Sequence, residues 1–344
     1  MDTNNEDALE ILRQLDREVT PQVKRTREVV CLFLSKFLTV FENDVTTSFR
    51  ITAIHGGSSD EHLAVDDKTD FDITVSLGGK FVSENFIVER DPRGFFILKA
   101  MKYMKFLNCD NFLDSSYLRE NIFDVLLWCI KWVKIPKTRI RCKRVSESAV
   151  IVKLQRKSGL KRKIFIYLVP QIPFHTWGQC PDLLPLQEMP ECLREHIKRN
   201  IRLNPCMFFS FVSPLDVRVK HLDQLFNPSF SLLEKNFINE ETDIRDMVRL
   251  VKYIAKKRHW KDSHHFKSFY AKRVALKHYD ELKGMEPWDG CQRLLQRLEE
   301  QVTNQQVIDG YFVRNQPLRK WRYNEAQEFI REIRTVKGMC IRDI

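Results

Sequence analysis

The sequence predicts an α+β protein in two lobes. Residues 1–178 read as a mixed, twisted sheet with a long N-terminal spine helix, and residues 179–344 as an all-helical lobe. Three observations carry this reading. Apolar residues recur at steps of three and four from Asp7 to about Phe41. Short β-rich segments bounded by turn residues then run from residue 48 to residue 172. Beyond about residue 182 helical periods take over.

In the first segment Leu9, Leu12, Leu15 and Val19 form one apolar stripe, which Val23, Val30, Phe33, Phe37 and Phe41 continue. Pro21 has no N–H and should kink or divide the element. A helix of this length is expected to lie along the core as a spine. Strand signals follow at Ser48–Ile54 and Phe71–Leu77, the second ended by Gly78-Gly79. Phe95–Phe106 and Ile122–Trp132 read as helices. Strands are expected at Arg139–Arg144, Ala149–Leu154 and Ile164–Ile172, with Ser158-Gly159 as the hairpin turn between the last two. Pro170, Pro173 and Pro181 close this stretch, and the lobe boundary falls near Gly178–Asp182. Helical periods then cover Cys192–Ile201, Phe230–Phe237, Ile244–Lys256, Phe266–His278, Gly290–Thr303 and Asn324–Ile333. A sheet lobe followed by a helical lobe leaves a cleft suited to a nucleotide.

A chain of 344 residues can bury a sizeable core, and its composition is that of an ordinary globular protein. No apolar run approaches the ~20 residues that span a bilayer. The N-terminus is acidic and polar, opposite to a secretory leader, so an intracellular protein is expected, cytoplasmic or nuclear. The nine cysteines are odd in number and form no Cys-x-x-Cys pair, which argues against a disulfide framework. His175, Cys180, Cys192 and Cys206 are loosely grouped, but their irregular spacing favours free thiols, and no zinc is expected.

The net charge of +11 favours a polyanionic partner, nucleic acid ahead of an acidic membrane surface. The excess is clustered at Lys134, Lys137, Arg139, Arg141, Lys143 and Arg144, then at Arg156, Lys157, Lys161, Arg162 and Lys163, then at Lys256, Lys257, Arg258 and Lys261. Any one cluster also fits a solvated strand edge. The basic residues Lys24, Arg25 and Arg27 beside the spine break, with Lys256, Lys257 and Arg258, are the candidate nucleic-acid contacts.

The most informative stretch is Gly56-Gly57-Ser58-Ser59 followed by Asp70-Phe71-Asp72-Ile73. Alternate side chains of a strand share a face, so Asp70 and Asp72 point together. Two adjacent carboxylates repel unless a cation neutralises them, and magnesium prefers oxygen ligands. A glycine-serine turn brings backbone N–H groups and a hydroxyl up to a phosphate. An Asp-x-Asp pair also occurs as a plain solvated face; the order and spacing of the two segments favour a metal-nucleotide site.

With Gly57-Ser58-Ser59-Asp60-Glu61-His62 and Asp70-Phe71-Asp72, the chain resembles the nucleotidyltransferase-fold proteins related to cyclic GMP-AMP synthase, including the animal receptors like it and the male-abnormal (Mab-type) developmental proteins. Phe226-Asn227-Pro228-Ser229-Phe230-Ser231-Leu232-Leu233-Glu234-Lys235 is similar to a later family segment. Arg249-Leu250-Val251-Lys252-Tyr253, Lys267-Ser268-Phe269-Tyr270-Ala271-Lys272, Trp288 and Asp309-Gly310-Tyr311-Phe312-Val313 resemble others, in the family's order. The resemblance implies a nucleotidyltransferase fold whose active members join ATP and GTP into a cyclic dinucleotide after binding double-stranded nucleic acid. It implies Asp70 and Asp72 as catalytic ligands of Mg2+ or Mn2+, and Gly57 and Ser58 on the phosphates. It places Glu234, Arg249, Ser268 and Lys272 at the nucleotide, with Phe269 stacking.

Departures from the family pattern bear on activity. By that resemblance the third metal carboxylate belongs on the strand Lys163–Pro170, where the matching position is Tyr167. A neutral phenol, with a reference pKa near 10, is a poor magnesium ligand. Asn227 stands where the family places an arginine, and Phe269 lacks the hydroxyl of the stacking tyrosine. The zinc thumb of the vertebrate DNA sensor is absent, which leaves double-stranded RNA the favoured polyanion. The expectation is a nucleotide- and RNA-binding protein of innate sensing that signals through a protein partner, with catalysis left open by Tyr167. An active cyclic-dinucleotide synthase and a non-catalytic developmental scaffold are the alternatives.

Overall fold

The computed structural model describes residues 3–43, 50–56, 63–65, 70–79, 81, 83–90, 95–146, 149–156, 163–174, 191–203, 207–211, 224–267, 269–305, 307–309 and 317–344. The spine is two helices in close succession, α1 (Thr3–Glu18) and α2 (Thr20–Asn43). Pro21 lies in the first turn of α2, where its missing N–H costs nothing. Val19 N–H still reaches Leu15 O at 2.9 Å and Val23 N–H reaches Val19 O at 3.0 Å, so the division is narrow.

Next come β1 (Ile51–Gly56), β2 (Asp70–Leu77), β3 (Phe86–Arg90), β4 (Phe96–Ala100), α3 (Ser115–Trp132), β5 (Thr138–Ser146), β6 (Ala149–Arg156) and β7 (Lys163–Phe174). The second half holds α4 (Glu191–Leu203), β8 (Met207–Phe211), β9 (Leu225–Ser229), α5 (Ser231–Glu240), α6 (Thr242–Lys257), α7 (Trp260–Ser263) and α8 (Phe269–Lys277). It ends with α9 (Tyr279–Leu282), α10 (Pro287–Gln305), β10 (Val307–Asp309), β11 (Pro317–Lys320) and α11 (Tyr323–Lys337). After β2 the chain turns at Gly79, whose φ of 71° is left-handed and suits glycine.

Among the described residues nine strands form one mixed sheet in the order β1-β2-β7-β8-β9-β4-β3. β6 pairs with the first part of β7, and β5 with β6. β2 and β7 run parallel, and the other neighbours are antiparallel. One face of the sheet is apolar: Phe71, Ile73 and Val75 of β2, Val150 and Val152 of β6, and Ile164, Ile166 and Leu168 of β7 are buried. They join one core with Phe33 and Phe37 of α2 and Leu118, Ile122 and Leu126 of α3. Asp114 caps α3, its Oδ1 accepting the Tyr117 N–H at 2.7 Å.

Two expectations are corrected. Phe95–Phe106 is not a helix: its first part is β4, where Phe96 and Leu98 are buried and Ile97 and Lys99 half-exposed. β4 pairs with β3 on one side and β9 on the other. The run Phe95-Phe96-Ile97-Leu98 is apolar throughout and carries no period to separate strand from helix. Nor is the chain beyond residue 179 all-helical, because β8 and β9 return to the sheet and β10 pairs with β11. The boundary at Gly178–Asp182 and the turn at Ser158-Gly159 lie outside the described residues. The strands flanking that turn do pair antiparallel, as expected.

The helical half packs α6 against α10 and α10 against α11. Gly290 of α10 lies directly on the Met247 side chain of α6, leaving no room for a Cβ. The spine is tied to this half through Asn5, whose Nδ2 donates to Asp289 Oδ2 at 3.1 Å and whose Oδ1 accepts the Trp288 N–H at 2.9 Å.

Candidate functional site

In β2 burial alternates: Asp70 and Asp72 are exposed, while Phe71 and Ile73 beside them are buried. The acid pair therefore shares one face because its neighbours are held in the core. β7 lies parallel to β2, with Asp70 opposite Phe165 and Asp72 opposite Tyr167. On the other side of β2, Asp72 pairs with Gly56. β1, which precedes the glycine-serine segment in sequence, thus ends beside Asp72. Gly57 and Ser58 themselves lie outside the described residues.

Tyr167 adjoins both acids. Its pKa is raised by burial first, then by the charges of Asp70 and Asp72, so the phenol is held protonated. Further along the same face Thr74 Oγ1 lies 3.4 Å from Gln171 Oε1, and Gln171 Nε2 donates to Ser210 Oγ at 2.7 Å. Ser210 pairs with Asn227 of β9, which puts Asn227 on the acid-pair face, two strands from β7. Gln171 is buried, yet sequence reasoning passed it over; a polar residue inside the apolar run Val169–Pro173 was the available signal.

Leu63 and Val65, ahead of β2, are anchored by α6. Lys252 Nζ donates to Leu63 O at 2.5 Å, and Lys256 Nζ lies 3.4 Å from Val65 O. Val65 joins Leu15, Val19 and Val23 of the spine in a small cluster against which Tyr253 of α6 packs. Lys24 and Arg25 of α2, like Lys256 and Lys257 of α6, are exposed. Arg27 is half-buried. Lys257 Nζ lies 5.4 Å over the Tyr253 ring.

Other expected site residues are engaged within the protein. Arg249, 5% exposed at its side chain, pairs with Asp16 of α1 at 2.9 Å. Arg258 makes a two-pronged pair with Glu332 at 2.6 and 3.2 Å, which turns it toward α11. Glu234 is buried between Lys272, at 3.0 Å, and Arg273. Glu234 and Lys272, both expected at the nucleotide, are thus partners of each other. Phe269 is 37% exposed and meets the Tyr270 ring at 4.6 Å, while Ser268 lies outside the described residues. Of the loose Cys/His grouping, Cys192 is half-buried with a free thiol, and His175, Cys180 and Cys206 are outside the described residues.

Among the described residues no group of three or more His, Cys, Asp or Glu is placed to hold a metal ion. Asp70 and Asp72 are oxygen donors on one open face, which suits one hard divalent cation completed by phosphate oxygens. A cleft of about 430 Å3 lies elsewhere, between the end of α3 and β5, lined by Lys131, Lys134, Ile140 and Cys142. Ile140 and Cys142 alternate with Arg139 and Arg141, so this cleft opens on the opposite sheet face. No helix of the described residues is long and apolar enough to cross a membrane. No protein-family model matches the chain, and no curated protein matches it.

Proposed function

We propose that the chain is a nucleotidyltransferase-fold protein of the cyclic GMP-AMP synthase-like kind, binding ATP or GTP with magnesium or manganese at Asp70 and Asp72. Tyr167, in place of a third carboxylate, leaves it a binding protein rather than an efficient synthase. The supporting observation is the register of β2 on β7, which sets Tyr167 opposite Asp72 on the exposed face. Asp70 and Asp72 would hold the cation, which when bound would neutralise phosphate charge. The Tyr167 phenol offers no anionic oxygen. Two-metal nucleotidyl transfer needs a clamp on both the attacking and the leaving oxygen. In this reading Lys24, Arg25, Lys256 and Lys257 form the contact for double-stranded RNA, and the bound state signals to a protein partner.

Thermal unfolding with and without magnesium-ATP tests the binding step. The melting temperature should rise with both present, and Asp72→Ala should remove the rise. Incubation with ATP, GTP, manganese and double-stranded RNA, read by mass spectrometry, tests the catalytic step. A cyclic or linear dinucleotide would overturn the assignment of Tyr167, and no rise for the parent chain would overturn nucleotide binding.

A further inference from the structure

The face that carries the acid pair extends across three more strands, and it changes sign on the way. The ladder pairs Asp70 with Phe165, Phe165 with Lys153, and Lys153 with Arg141. In register, these four residues form one row across β2, β7, β6 and β5. Paired residues of neighbouring strands share a face, so all four project from the side that bears Asp72 and Tyr167. Arg139, two residues along β5, joins Arg141 on it. Both arginines are exposed, and among the described residues neither is ion-paired. Strands spaced ~4.8 Å apart set the row at about 14 Å from the arginines to the acid pair.

Between the poles stands an aromatic ring. Phe165 is half-buried, and Lys153 Nζ lies 5.8 Å from its centroid, so cation and ring form one unit. Fixed cations beside a ring on an open sheet make a surface for a single-stranded polynucleotide, with phosphates on the cations and a base on the ring. A lipid headgroup layer would use the cations and leave the ring idle.

We propose that this row, Arg139 and Arg141 with Lys153 and Phe165, is a binding track for a single-stranded oligonucleotide whose end reaches the Asp70–Asp72 site. The track rests on the nucleotide-site reading only for the meaning of its acidic end. Its own binding needs no magnesium.

A short fluorescein-labelled single-stranded oligoribonucleotide, titrated with the full chain and followed by anisotropy without divalent metal, tests it. Arg139→Glu with Arg141→Glu should weaken binding roughly tenfold or more at physiological salt. The double variant should also flatten the log–log salt dependence by about 1.4, two phosphates being lost. Phe165→Ala should weaken binding roughly tenfold with little change in salt slope. A ligand-free melting temperature of the double variant equal to the parent's serves as its folding control. Where Glu disrupts folding, Arg139→Gln with Arg141→Gln should still weaken binding severalfold. Equal affinity of parent and variants would overturn the track, as would loss confined to phosphatidylserine vesicles. Oligonucleotide binding lost on charge reversal, in a parent that shows no magnesium-ATP shift, would keep the track and sink the nucleotide site.

Discussion

In the proposed function, a phenol beside two carboxylates is the residue that separates binding from catalysis. Burial and the charges of Asp70 and Asp72 keep Tyr167 protonated, so it adds no charge to the site. Tyr167→Asp would set a third carboxylate opposite Asp72. Like charges near 4 Å interact by ~4 kcal/mol at surface dielectric, so this variant should lose stability without metal and bind manganese at least tenfold tighter. Melting with and without manganese checks this, and equal stabilisation of parent and variant would place Tyr167 away from the metal. Glu234 allows a second test at this scale. It is buried with Lys272 and Arg273 against it, so Glu234→Gln should cost roughly 3–5 kcal/mol in urea unfolding without nucleotide. Unchanged stability with lost nucleotide binding would restore the ligand role that the family resemblance implies. The alternation of Asp70 and Asp72 was legible because it is written in adjacent residues. The Glu234–Lys272 pair was not, since its members are far apart in sequence and each also suits a nucleotide contact.

Among the elements, α3 and α10 were the most legible. Ile122–Trp132 appears as the second half of α3, whose start at Asp114 depends on one side-chain cap. Asp114→Ala should cost about 1 kcal/mol, measured by chemical unfolding. In α10 the glycine at 290 reads as a helix-weakening residue, yet it is where Met247 of α6 comes to rest. Gly290→Ala gains helix propensity of ~1 kcal/mol and should still destabilise the protein by roughly 1–2 kcal/mol through overpacking. A raised melting temperature for this variant would show that α6 and α10 can separate without loss. β3, β4, β8 and β9 were not legible. Each is only five residues long, a short run that fits a buried helical turn as well as a strand, and its place in the sheet depends on pairings such as β4 with β9 and β7 with β8 that join separate parts of the chain.

Across the whole molecule, acid should act on the helical half first. Glu281, Glu300 and Glu332 have lowered pKa values, chiefly from hydrogen bonds to Arg297, Arg297 and Arg258. In Glu299 bonds to Arg334 and Lys337 outweigh burial, which by itself pulls the other way. A carboxylate depressed in the fold contributes stability above its ordinary value near 4.5, lost as pH falls through the folded value. His196, His264 and His278 are lowered chiefly by burial, so stability already declines as pH drops below about 6.5. Asp246, raised by burial, works in the opposite sense. The urea midpoint should therefore fall from pH 7 to pH 5 through the histidines and fall further below about pH 4.5 through the carboxylates; no further fall below pH 4.5 would mean these pairs are not formed in solution. The sequence by itself determined the spine, the acid pair's shared face and the main helices, because each rests on periods or spacings among near neighbours. The tertiary structure alone decided that Tyr167 stands opposite Asp72 and that basic β5 shares the acid pair's face. It also decided that Arg249, Arg258 and Lys272 are held by Asp16, Glu332 and Glu234. The reason is physical: strand register and long-range ion pairs depend on which distant segments the core brings together, and no local pattern records that choice.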